Sequence, residues 1–349
     1  MPDKDHYVII GNGPAGNHAA AILRQKDETA KITIISDECV PYYYKPKLTG
    51  FIADEIPKED LMVNPPNLND QGLKDVRIRC GQAVERIDPD SKLLFLQHME
   101  KIEFSKLIIA SGSRARVLPT MSGYADHLKF VTSYTDVMEV KDEIRKAKEF
   151  FIFGGDLVGF KFLRMLNSMG KTVTILIYPD AFWPYHLTDG MLTQITKNLS
   201  KFNAEIIVKD DVSSIDKQNR TYRVKTKNGI EKNVDMVFSF NGLTPNIEFA
   251  RGSGIDIDHG ILVDEYLKTN VDSIYACGSC AQIYNPTINS YTTSIGWPNA
   301  VVQGEVAALN LLGDHKVIES VGKKYFDLEG VKIKTTWWEE IEIDKDHNL

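Results

Sequence analysis

The chain has 349 residues, of which 43% are hydrophobic and 26% are charged, with a formal net charge of -7. This composition is typical of a globular protein of two or three domains, and the acidic balance argues against nucleic acid as a general partner because no surplus of Lys and Arg can displace counterions. No apolar run reaches the roughly 18 residues that cross a bilayer, and the first residues lack the regions of a signal peptide. We therefore expect a cytoplasmic protein without a membrane span.

The first elements of the chain form a predicted βαβ unit, in which HYVIIG and KITIIS are strands and NHAAAILRQKD is a helix. Between the first strand and the helix, Gly11, Gly13 and Gly16 have GxGxxG spacing. Such glycines allow a tight turn, close approach to a pyrophosphate and close packing of helix on strand. Asp37 and Glu38 follow after about twenty residues, where a carboxylate can accept from a ribose hydroxyl. The unit predicts a dinucleotide site, and the alternative is a glycine-rich turn in another α/β protein.

A second unit of the same kind begins at Phe150, with FFIF and TVTILIY as strands and FKFLRMLNSMG as the helix. Two such units about 140 residues apart predict two doubly wound nucleotide-binding domains. The second turn reads GGDLVG, so that Asp156 stands at the position of the second glycine. The second strand ends at Ile177 and Tyr178 instead of an acid. These two departures weaken the prediction of a nucleotide site in the second unit.

Five further segments occur in one order: PYYYKPKLTGFIADE, KLIIASGS, FNGLTPN, GILVDEYLKTNVDSIYACGSCA and VKIKTT. With the two turns, they resemble the FAD-dependent pyridine nucleotide-disulfide oxidoreductase superfamily, and most closely its rubredoxin reductase-like and nitrite reductase-associated flavoproteins. The resemblance implies an α/β fold with two Rossmann-like FAD/NAD(P)-binding domains of the glutathione reductase type, without the C-terminal interface domain. It divides the chain into an FAD-binding domain formed by 1–118 and 244–313, an NAD(P)-binding-like domain at 119–243, and a tail at 314–349 that contributes a strand near the flavin.

The same resemblance implies FAD as the cofactor and a set of residues that hold it. The helix that begins near Trp297 would direct its positive end at the flavin pyrimidine ring and stabilise an anionic reduced flavin. The residues assigned to the pyrophosphate, the adenosine side and the flavin side are Gly11, Gly13, Pro14, Ala15, Gly16, Asp37, Glu38, Lys45, Pro46, Val84, Ala110, Ser111, Gly112, Gly278, Ser279, Trp297 and Lys334.

Three residues in the second unit depart from the family pattern. Asp156 adds a negative charge where a phosphate would lie, and at about 4 Å this costs about 1 kcal/mol in bulk water and about 4 kcal/mol at an intermediate dielectric. Lys161 stands where relatives carry a glutamate at the flavin–nicotinamide junction, and Ile177 stands where NAD-users carry an acid that binds ribose. We therefore expect NAD(P)H binding to be doubtful and the domain to serve as a packed scaffold or docking surface. The alternatives are a working NAD(P)H site and a site for another nucleotide.

Asp180 is the one acid that could replace Ile177. It lies 21 residues after Gly159, the same separation as that between Gly16 and Asp37. Strand register instead aligns ITIISD with VTILIY, which places Tyr178 at the position of Asp37. Register governs which side chains lie at a strand end, so we expect Tyr178 and not Asp180 to be the counterpart of Asp37.

Ser279 and the cysteines complete the list of candidate residues. Ser279 replaces an aspartate of the relatives, which forfeits a charge-assisted hydrogen bond to a ribityl hydroxyl and predicts weaker FAD binding. Cys277 and Cys280 have the CxxC spacing of redox dithiols, but small residues that pack beneath the cofactor are the expected interpretation. Cys39 lies outside the position used by relatives that reduce disulfides, and we expect no thiol chemistry. The histidines show no metal-binding spacing, so no metal is expected.

Three functions remain open on the sequence alone. The leading hypothesis is an FAD-containing oxidoreductase, or electron-transfer flavoprotein subunit, that exchanges electrons with a protein partner and not with free NAD(P)H. The partner would be an iron–sulfur protein or the catalytic subunit of a larger complex. The alternatives are a conventional NAD(P)H-dependent reductase of a rubredoxin- or ferredoxin-like acceptor, and a non-catalytic structural subunit.

Overall fold

The structure is a computed structural model and describes residues 5–63, 75–178, 180–182, 186–286, 288–318 and 325–334. Within these ranges the chain forms strands, α-helices and short 3₁₀-helices in an α/β arrangement, as predicted. Over the same ranges, none of the helices has the length and apolar character that crossing a membrane requires.

The first stretch of the chain alternates strands and helices and then adds a small hairpin sheet. Its elements are β1 His6–Ile10, α1 Pro14–Lys26, β2 Lys31–Ile35, α2 Leu48–Ile52, α3 Lys58–Leu61, β3 Val76–Arg79, β4 Val84–Asp88, β5 Leu93–Leu96, β6 Lys101–Glu103, β7 Lys106–Ile109 and β8 Ser113–Ala115.

The middle stretch repeats this plan. Its elements are α4 Tyr134–Lys146, β9 Glu149–Gly154, α5 Leu157–Ser168, β10 Thr172–Ile177, α6 Asp189–Leu199, β11 Ala204–Val208, β12 Val212–Gln218, β13 Thr221–Thr226, β14 Glu231–Val234 and β15 Met236–Phe240. The last stretch holds β16 Leu243–Pro245, β17 Ile261–Val263, β18 Ile274–Ala276, β19 Ala281–Asn285, β20 Ser290–Thr293, α7 Trp297–Leu311, β21 Tyr325–Leu328 and β22 Val331–Lys334.

Two parallel sheets carry the two βαβ units. The first has the order β18-β7-β1-β2-β3, and the second has the order β11-β10-β9-β15. Both consist of parallel pairs throughout, which buries their strands on two faces and explains the runs of Ile, Val and Phe in the sequence. The antiparallel pair β8–β16 joins the chain segments that pass between them, near the predicted boundaries at 118 and 244, which remain predictions.

The second sheet has its own tightly packed core. Phe150, Phe162, Phe238 and Phe240 are buried, and the ring centroids of Phe162 and Phe238 lie 4.5 Å apart. Such aromatic packing supplies a large share of a domain's apolar burial. The second domain is therefore a fully formed unit despite the altered turn.

Helix α4 fastens the second unit to the first. The Lys141 ammonium donates to the backbone carbonyl of Phe51 at 2.6 Å and pairs with Asp54 at 2.7 Å. Arg145 also pairs with Asp54, at 2.6 Å. Lys141 is buried, so its two partners offset a desolvation cost that would otherwise be large.

The hairpin of β21 and β22 packs on the second unit. Leu328 and Val331 are buried in the same core as α5 and α6, and the buried Glu329 accepts from Arg164 at 2.6 Å. The Asn198 side chain donates to the backbone carbonyl of Glu329 at 2.6 Å. Residues 335–349 and the Lys334 side chain lie outside what is described, so the flavin-proximal position of this strand stays a prediction.

Candidate functional site

The turn between β1 and α1 contains three glycines that serve two different purposes. At Gly11, φ is +115°, and an added Cβ would lie 2.0 Å from the backbone oxygen of Ala110. At Gly16 an added Cβ would lie 2.0 Å from the backbone oxygen of Gly11. At Gly13 it would meet no atom within 4 Å. The outer two glycines therefore serve packing, whereas Gly13 keeps space open beside the turn.

The N-termini of α1 and α7 have no side-chain cap. Gly13 precedes α1 and Gly296 precedes α7, and neither helix has an acidic residue in its first turn. The two helices pack closely, since a Cβ added at Gly304 of α7 would lie 2.2 Å from the backbone oxygen of Ala15. Uncapped backbone N–H groups and the positive end of the helix dipole favour a bound anion. Pro14, at the first position of α1, forfeits no hydrogen bond there.

The loop after β7 and the turn after β18 both lie against the turn between β1 and α1. The N–H of Ala110 donates to the carbonyl of Ile10 at 2.8 Å. The Ser279 hydroxyl lies 3.0 Å from that of Ser113, and the N–H of Gly278 donates to the Gln303 side chain at 2.8 Å.

Backbone geometry holds both segments in place. Gly112 and Gly278 have φ of +70° and +79°, a region that glycine adopts without strain. The Ser111 hydroxyl donates to the carbonyl of Asn246 at 2.6 Å. The structure thus brings together, at one sheet edge, the predicted residues of the three loops that follow β1, β7 and β18.

The two acids after β2 have different roles in the structure. Glu38 accepts from the Tyr43 hydroxyl at 2.9 Å and from the N–H and hydroxyl of Thr135 at 2.9 and 2.8 Å. It therefore holds the start of α4. Asp37 is exposed and accepts from the N–H of Glu38 at 2.8 Å. Of the predicted pair, Asp37 is the acid that remains accessible to a ribose.

Val84 begins β4, two residues after Gln82. The N–H of Gln82 donates to the carbonyl of Ser36 at 3.1 Å, and Val84 itself is half-buried against the core of the first sheet. The assignment of Val84 to the adenosine side stays a prediction.

Aromatic residues surround the start of α7. Trp297 stacks on Tyr42 with ring centroids 5.4 Å apart and meets the edge of Tyr44 at 4.8 Å. Lys45 and Pro46 follow in a short 3₁₀-helix. The Lys45 side chain reaches solvent, yet protein surrounds it closely, and this desolvation lowers its pKa against the opposing effect of nearby carboxylates, Glu38 foremost. PYYYKP is thus largely a packing segment.

Asp156 occupies the N-terminus of α5. Its Oδ1 accepts from the N–H groups of Val158 and Gly159 at 3.0 and 2.8 Å, and its Oδ2 accepts from the N–H of Gly242 at 3.2 Å. Burial raises the pKa of Asp156 to about 6, while these three hydrogen bonds act to lower it. Two backbone donors of this helix end, those of Val158 and Gly159, are therefore already occupied by the Asp156 side chain.

The end of β10 offers no acid to a ribose. Ile177 is 1% exposed, and its Cγ2 would lie 3.1 Å from a Cβ added at Gly155. Leu176 pairs with Phe153 as Ile35 pairs with Ile10, so Tyr178 and Asp37 lie two residues beyond equivalent positions. The predicted alignment of Tyr178 with Asp37 is confirmed.

Asp180, the alternative acid, lies further along the loop. Its carboxylate lies 2.7 Å from Nδ1 of His186, and its backbone carbonyl accepts from Arg116 at 3.2 Å.

Lys161 lies at the junction of the two units. It lines a surface pocket of about 320 Å³ between α2 and α5, together with Gly50 and Glu55 from one side and Arg164 from the other. Lys161 therefore adds a positive charge to a pocket that both units line.

The structure separates the four cysteines into two pairs. Cys277 and Cys280 are free thiols and fully buried, and burial raises the pKa of both, which favours the unreactive thiol form. Cys39 and Cys80 form a disulfide. This bridge was not predicted from the sequence; it joins the ends of β2 and β3, which are neighbours in the sheet although 41 residues separate the cysteines.

Removal of the Asp156 carboxylate should destabilise the protein more than loss of an ordinary helix cap. Asp156→Ala leaves three backbone donors without an acceptor, and we expect a loss of about 2–3 kcal/mol in the free energy of unfolding. Thr188→Ala is the control, since Thr188 caps α6 through one bond of 3.3 Å to Met191 and should cost only about 0.5–1 kcal/mol. Urea denaturation of both variants measures the difference, and equal losses would contradict this role of Asp156.

The comparisons with known proteins agree with this geometry. The family model of the pyridine nucleotide-disulphide oxidoreductases matches residues 5–304. The chain belongs to this family. Its membership makes the protein an FAD-dependent oxidoreductase and confirms the two-domain α/β fold expected from the sequence. The family implies both FAD and NAD(P)H as ligands. Membership by itself does not confirm the expected loss of NAD(P)H binding.

Several relatives of this oxidoreductase family member are named as reductases of rubredoxin or rhodocoxin. The chain is 28% identical to NADH-rubredoxin oxidoreductase of Clostridium acetobutylicum, which covers 93% of this chain and 80% of that protein. It is 28% identical to rhodocoxin reductase of Rhodococcus erythropolis, over 90% of this chain and 74% of that one. In a covalent putidaredoxin reductase–putidaredoxin complex, a chain of 22% identity has the same fold, with a TM-score of 0.80 over 94% of this chain and 80% of that one.

The residues of the first site fit a bound dinucleotide. Gly13 leaves room beside the turn, two uncapped helix ends favour the pyrophosphate and the flavin, and Asp37 is accessible for a ribose. When bound, FAD supplies the ability to take up two electrons together and release them singly.

Proposed function

We propose that this family member is a flavin-dependent electron-transfer protein that exchanges electrons with a protein redox partner and makes no direct use of NADH or NADPH. The single observation that carries the proposal is Asp156 at the N-terminus of α5. In this position its carboxylate takes the backbone donors that a nucleotide pyrophosphate would need.

The pattern of glycines in the second turn supports the loss of one specific function. Gly154 has φ of +111°, and an added Cβ would lie 2.0 Å from the backbone oxygen of Phe240. At Gly159 an added Cβ would lie 2.8 Å from Cβ of Phe240. These two packing glycines are kept, like Gly11 and Gly16 in the first turn. Only the position that corresponds to Gly13, the one that faces the ligand, has gained a side chain.

The adjacent strand end also supports the proposal. Ile177 is buried and apolar, and Tyr178 lies where the first unit has Asp37. An adenosine ribose would lack its usual carboxylate acceptor on β10. The second domain then remains as a packed platform, fastened to the first through α4.

We assign FAD to the first site. The turn of Gly11, Gly13 and Gly16 with α1 would hold the pyrophosphate, Asp37 the adenosine ribose, and the start of α7 the flavin. Ala110, Ser111 and Gly112 would lie beside it, as would Gly278, Ser279, Lys45, Pro46 and Val84. Glu38 would lie near the FAD and position the loop after β2 through its hydrogen bond with Thr135. Trp297 would lie near the FAD and be held there by its stacking on Tyr42. Lys334 keeps its predicted place near the flavin as part of this proposal.

The partner we propose is a small iron–sulfur protein or the catalytic subunit of a larger complex, in the cytoplasm. The names of the relatives support a protein partner, since two relatives are named as reductases of rubredoxin and rhodocoxin, and one similar structure is a complex with putidaredoxin. The same names favour the second candidate, a conventional NADH-dependent reductase, because the Clostridium relative is named for NADH.

Calorimetric titration separates the two candidates. The flavin-loaded protein is titrated with NADH and then with NADPH, and we expect no binding below millimolar concentration. A dissociation constant in the micromolar range for either nucleotide would support the conventional reductase. The partner is tested by mixing dithionite-reduced protein with an oxidised rubredoxin or ferredoxin under argon, where the first candidate predicts reduction of at least one of them.

Ser279→Asp should tighten FAD binding. The added carboxylate restores a charge-assisted hydrogen bond, which is worth about 1 kcal/mol more than that of a neutral hydroxyl, and thus several-fold in affinity. Ser279→Ala should weaken binding, since it removes the hydroxyl next to Ser113. Flavin fluorescence measures both dissociation constants. Weaker binding by the aspartate variant would contradict the assignment of Ser279 to FAD.

A further inference from the structure

The exposed disulfide between Cys39 and Cys80 links two strand ends beside the first site. Cys39 lies in the loop that follows β2, and Cys80 directly follows the last residue of β3. Their Cα atoms are 4.6 Å apart, and both residues are exposed. Because β2 and β3 are already paired from Ile32 to Ile35, the bridge adds a constraint only to the loop beyond them.

That loop, residues 36–40, contacts both the start of α4 and the turn between β1 and α1. It carries Asp37 and Glu38, and through Glu38 it holds Thr135 at the start of α4. The Asn12 side chain, within the pyrophosphate turn, donates to the carbonyl of Val40 at 3.2 Å. The residue between these contacts is Cys39. Whatever fixes Cys39 therefore fixes the acid loop against both the turn and α4.

Solvent access distinguishes this pair from the other cysteines. Cys277 and Cys280 are fully buried, and a soluble thiol or oxidant cannot reach them in the folded protein. Exposed disulfides are the ones that thiol exchange reaches, and those of cytosolic proteins are mostly catalytic or redox-sensing.

We propose that Cys39 and Cys80 form a thiol–disulfide switch that sets how tightly the adenosine end of FAD is held. This inference rests on the FAD placement in the proposed function. In the oxidised state the bridge orders the loop before FAD binds, so that binding does not have to order it. In the reduced state the loop must lose conformational freedom on binding, which weakens affinity.

The exchange balances with low-molecular-weight thiols as the co-reactant. A thiolate attacks one sulfur of the bridge, the S–S bond breaks, and a mixed disulfide forms with release of one protein thiol. A second thiolate then displaces the other cysteine. Two small thiols are oxidised to their disulfide, and the protein gains two electrons and two protons as two thiols. The reverse reaction, with a small disulfide as oxidant, closes the bridge.

Counting reactive thiols tests whether the bridge exists. The folded, air-purified full-length protein is treated with a maleimide before and after reduction by a phosphine, and the labelled residues are found by mass spectrometry. We expect no labelled cysteine before reduction and labelling of Cys39 and Cys80 after it, with Cys277 and Cys280 unlabelled throughout. Labelling of Cys39 and Cys80 before reduction would overturn the proposal.

The affinity for FAD tests what the bridge does. We expect the dissociation constant of the wild-type protein to rise about tenfold on reduction, and the Cys39→Ser/Cys80→Ser variant to show the raised value with or without reductant. The variant is the control for any effect of the reductant on the flavin itself. Equal affinities in all four conditions would overturn the switch.

Hydrogen exchange gives a readout that does not depend on flavin. Peptides that cover 36–40 should exchange faster after reduction, whereas those in β2 should not change.

No FAD binding in either redox state would overturn the proposed function and the switch together. Tight FAD binding without redox dependence would overturn only the switch.

Discussion

Replacement of Gly13 by valine is expected to abolish FAD binding while the protein stays folded. Gly13 has φ of -86° and ψ of -169°, which valine adopts readily, and a Cβ there meets no protein atom within 4 Å. The side chain would instead fill the space beside the uncapped start of α1. Because several charge-assisted hydrogen bonds to the pyrophosphate would be lost, we expect affinity to fall by about a hundredfold or more.

Gly16→Val is the matched control for that variant. Its Cβ would lie 2.0 Å from the backbone oxygen of Gly11, so α1 must move away from β1. We expect a loss of about 3 kcal/mol or more in the stability of the flavin-free protein. Urea denaturation followed by circular dichroism measures stability, and flavin fluorescence measures binding. The account fails if Gly13→Val retains wild-type affinity, or if both variants lose the same stability.

The second large effect is expected from restoring the altered turn of the second unit. Asp156→Gly removes a carboxylate that competes with a phosphate for the start of α5, and its repulsion corresponds to a factor between about five and a thousand in affinity. We therefore expect Asp156→Gly to bind NADH at least about fivefold more tightly than the wild type. Addition of Tyr178→Asp should increase affinity further, because Tyr178 lies at the position equivalent to Asp37 and the new carboxylate would supply an acceptor for the ribose.

Two controls keep this second prediction testable. Asp156→Gly removes the cap of α5 and can lose stability, so urea denaturation first establishes that each variant is folded before NADH is added. Tyr178→Asp alone keeps Asp156 and should not bind NADH. Binding is measured by calorimetry, and a shift of the unfolding temperature with NADH provides a second readout. If Asp156→Gly binds no more NADH than the wild type, the carboxylate is not what excludes the nucleotide.

Local patterns in the sequence predicted the turn between β1 and α1 and the two βαβ units. The GxGxxG spacing placed Gly11, Gly13 and Gly16 correctly between β1 and α1, and the two βαβ units correspond to two parallel sheets. Strand register identified Tyr178 as the counterpart of Asp37 in the second unit, because side chains in a strand alternate with a fixed period. These features depend on residues close together in the chain, which is why they can be predicted.

Features that depend on distant residues were missed. The pairing of Cys39 with Cys80 requires β2 and β3 to be neighbours, and the contact of Glu38 with Thr135 spans 97 residues. No local pattern predicts either. Asp156 is a different case, since an aspartate directly before a helix is a standard N-cap signal. The N-cap signal lies in GGDLVG, where the departure from the glycine pattern by itself indicates only a repulsive charge.

The central claim is that the flavin of this protein receives no electrons from NADH or NADPH. It is tested most directly by the absorbance of the purified protein near 450 nm, recorded under argon with NADH, then NADPH and finally dithionite. The account predicts a flavin band that both nucleotides leave unchanged and that dithionite bleaches. Rapid bleaching by either nucleotide would contradict it.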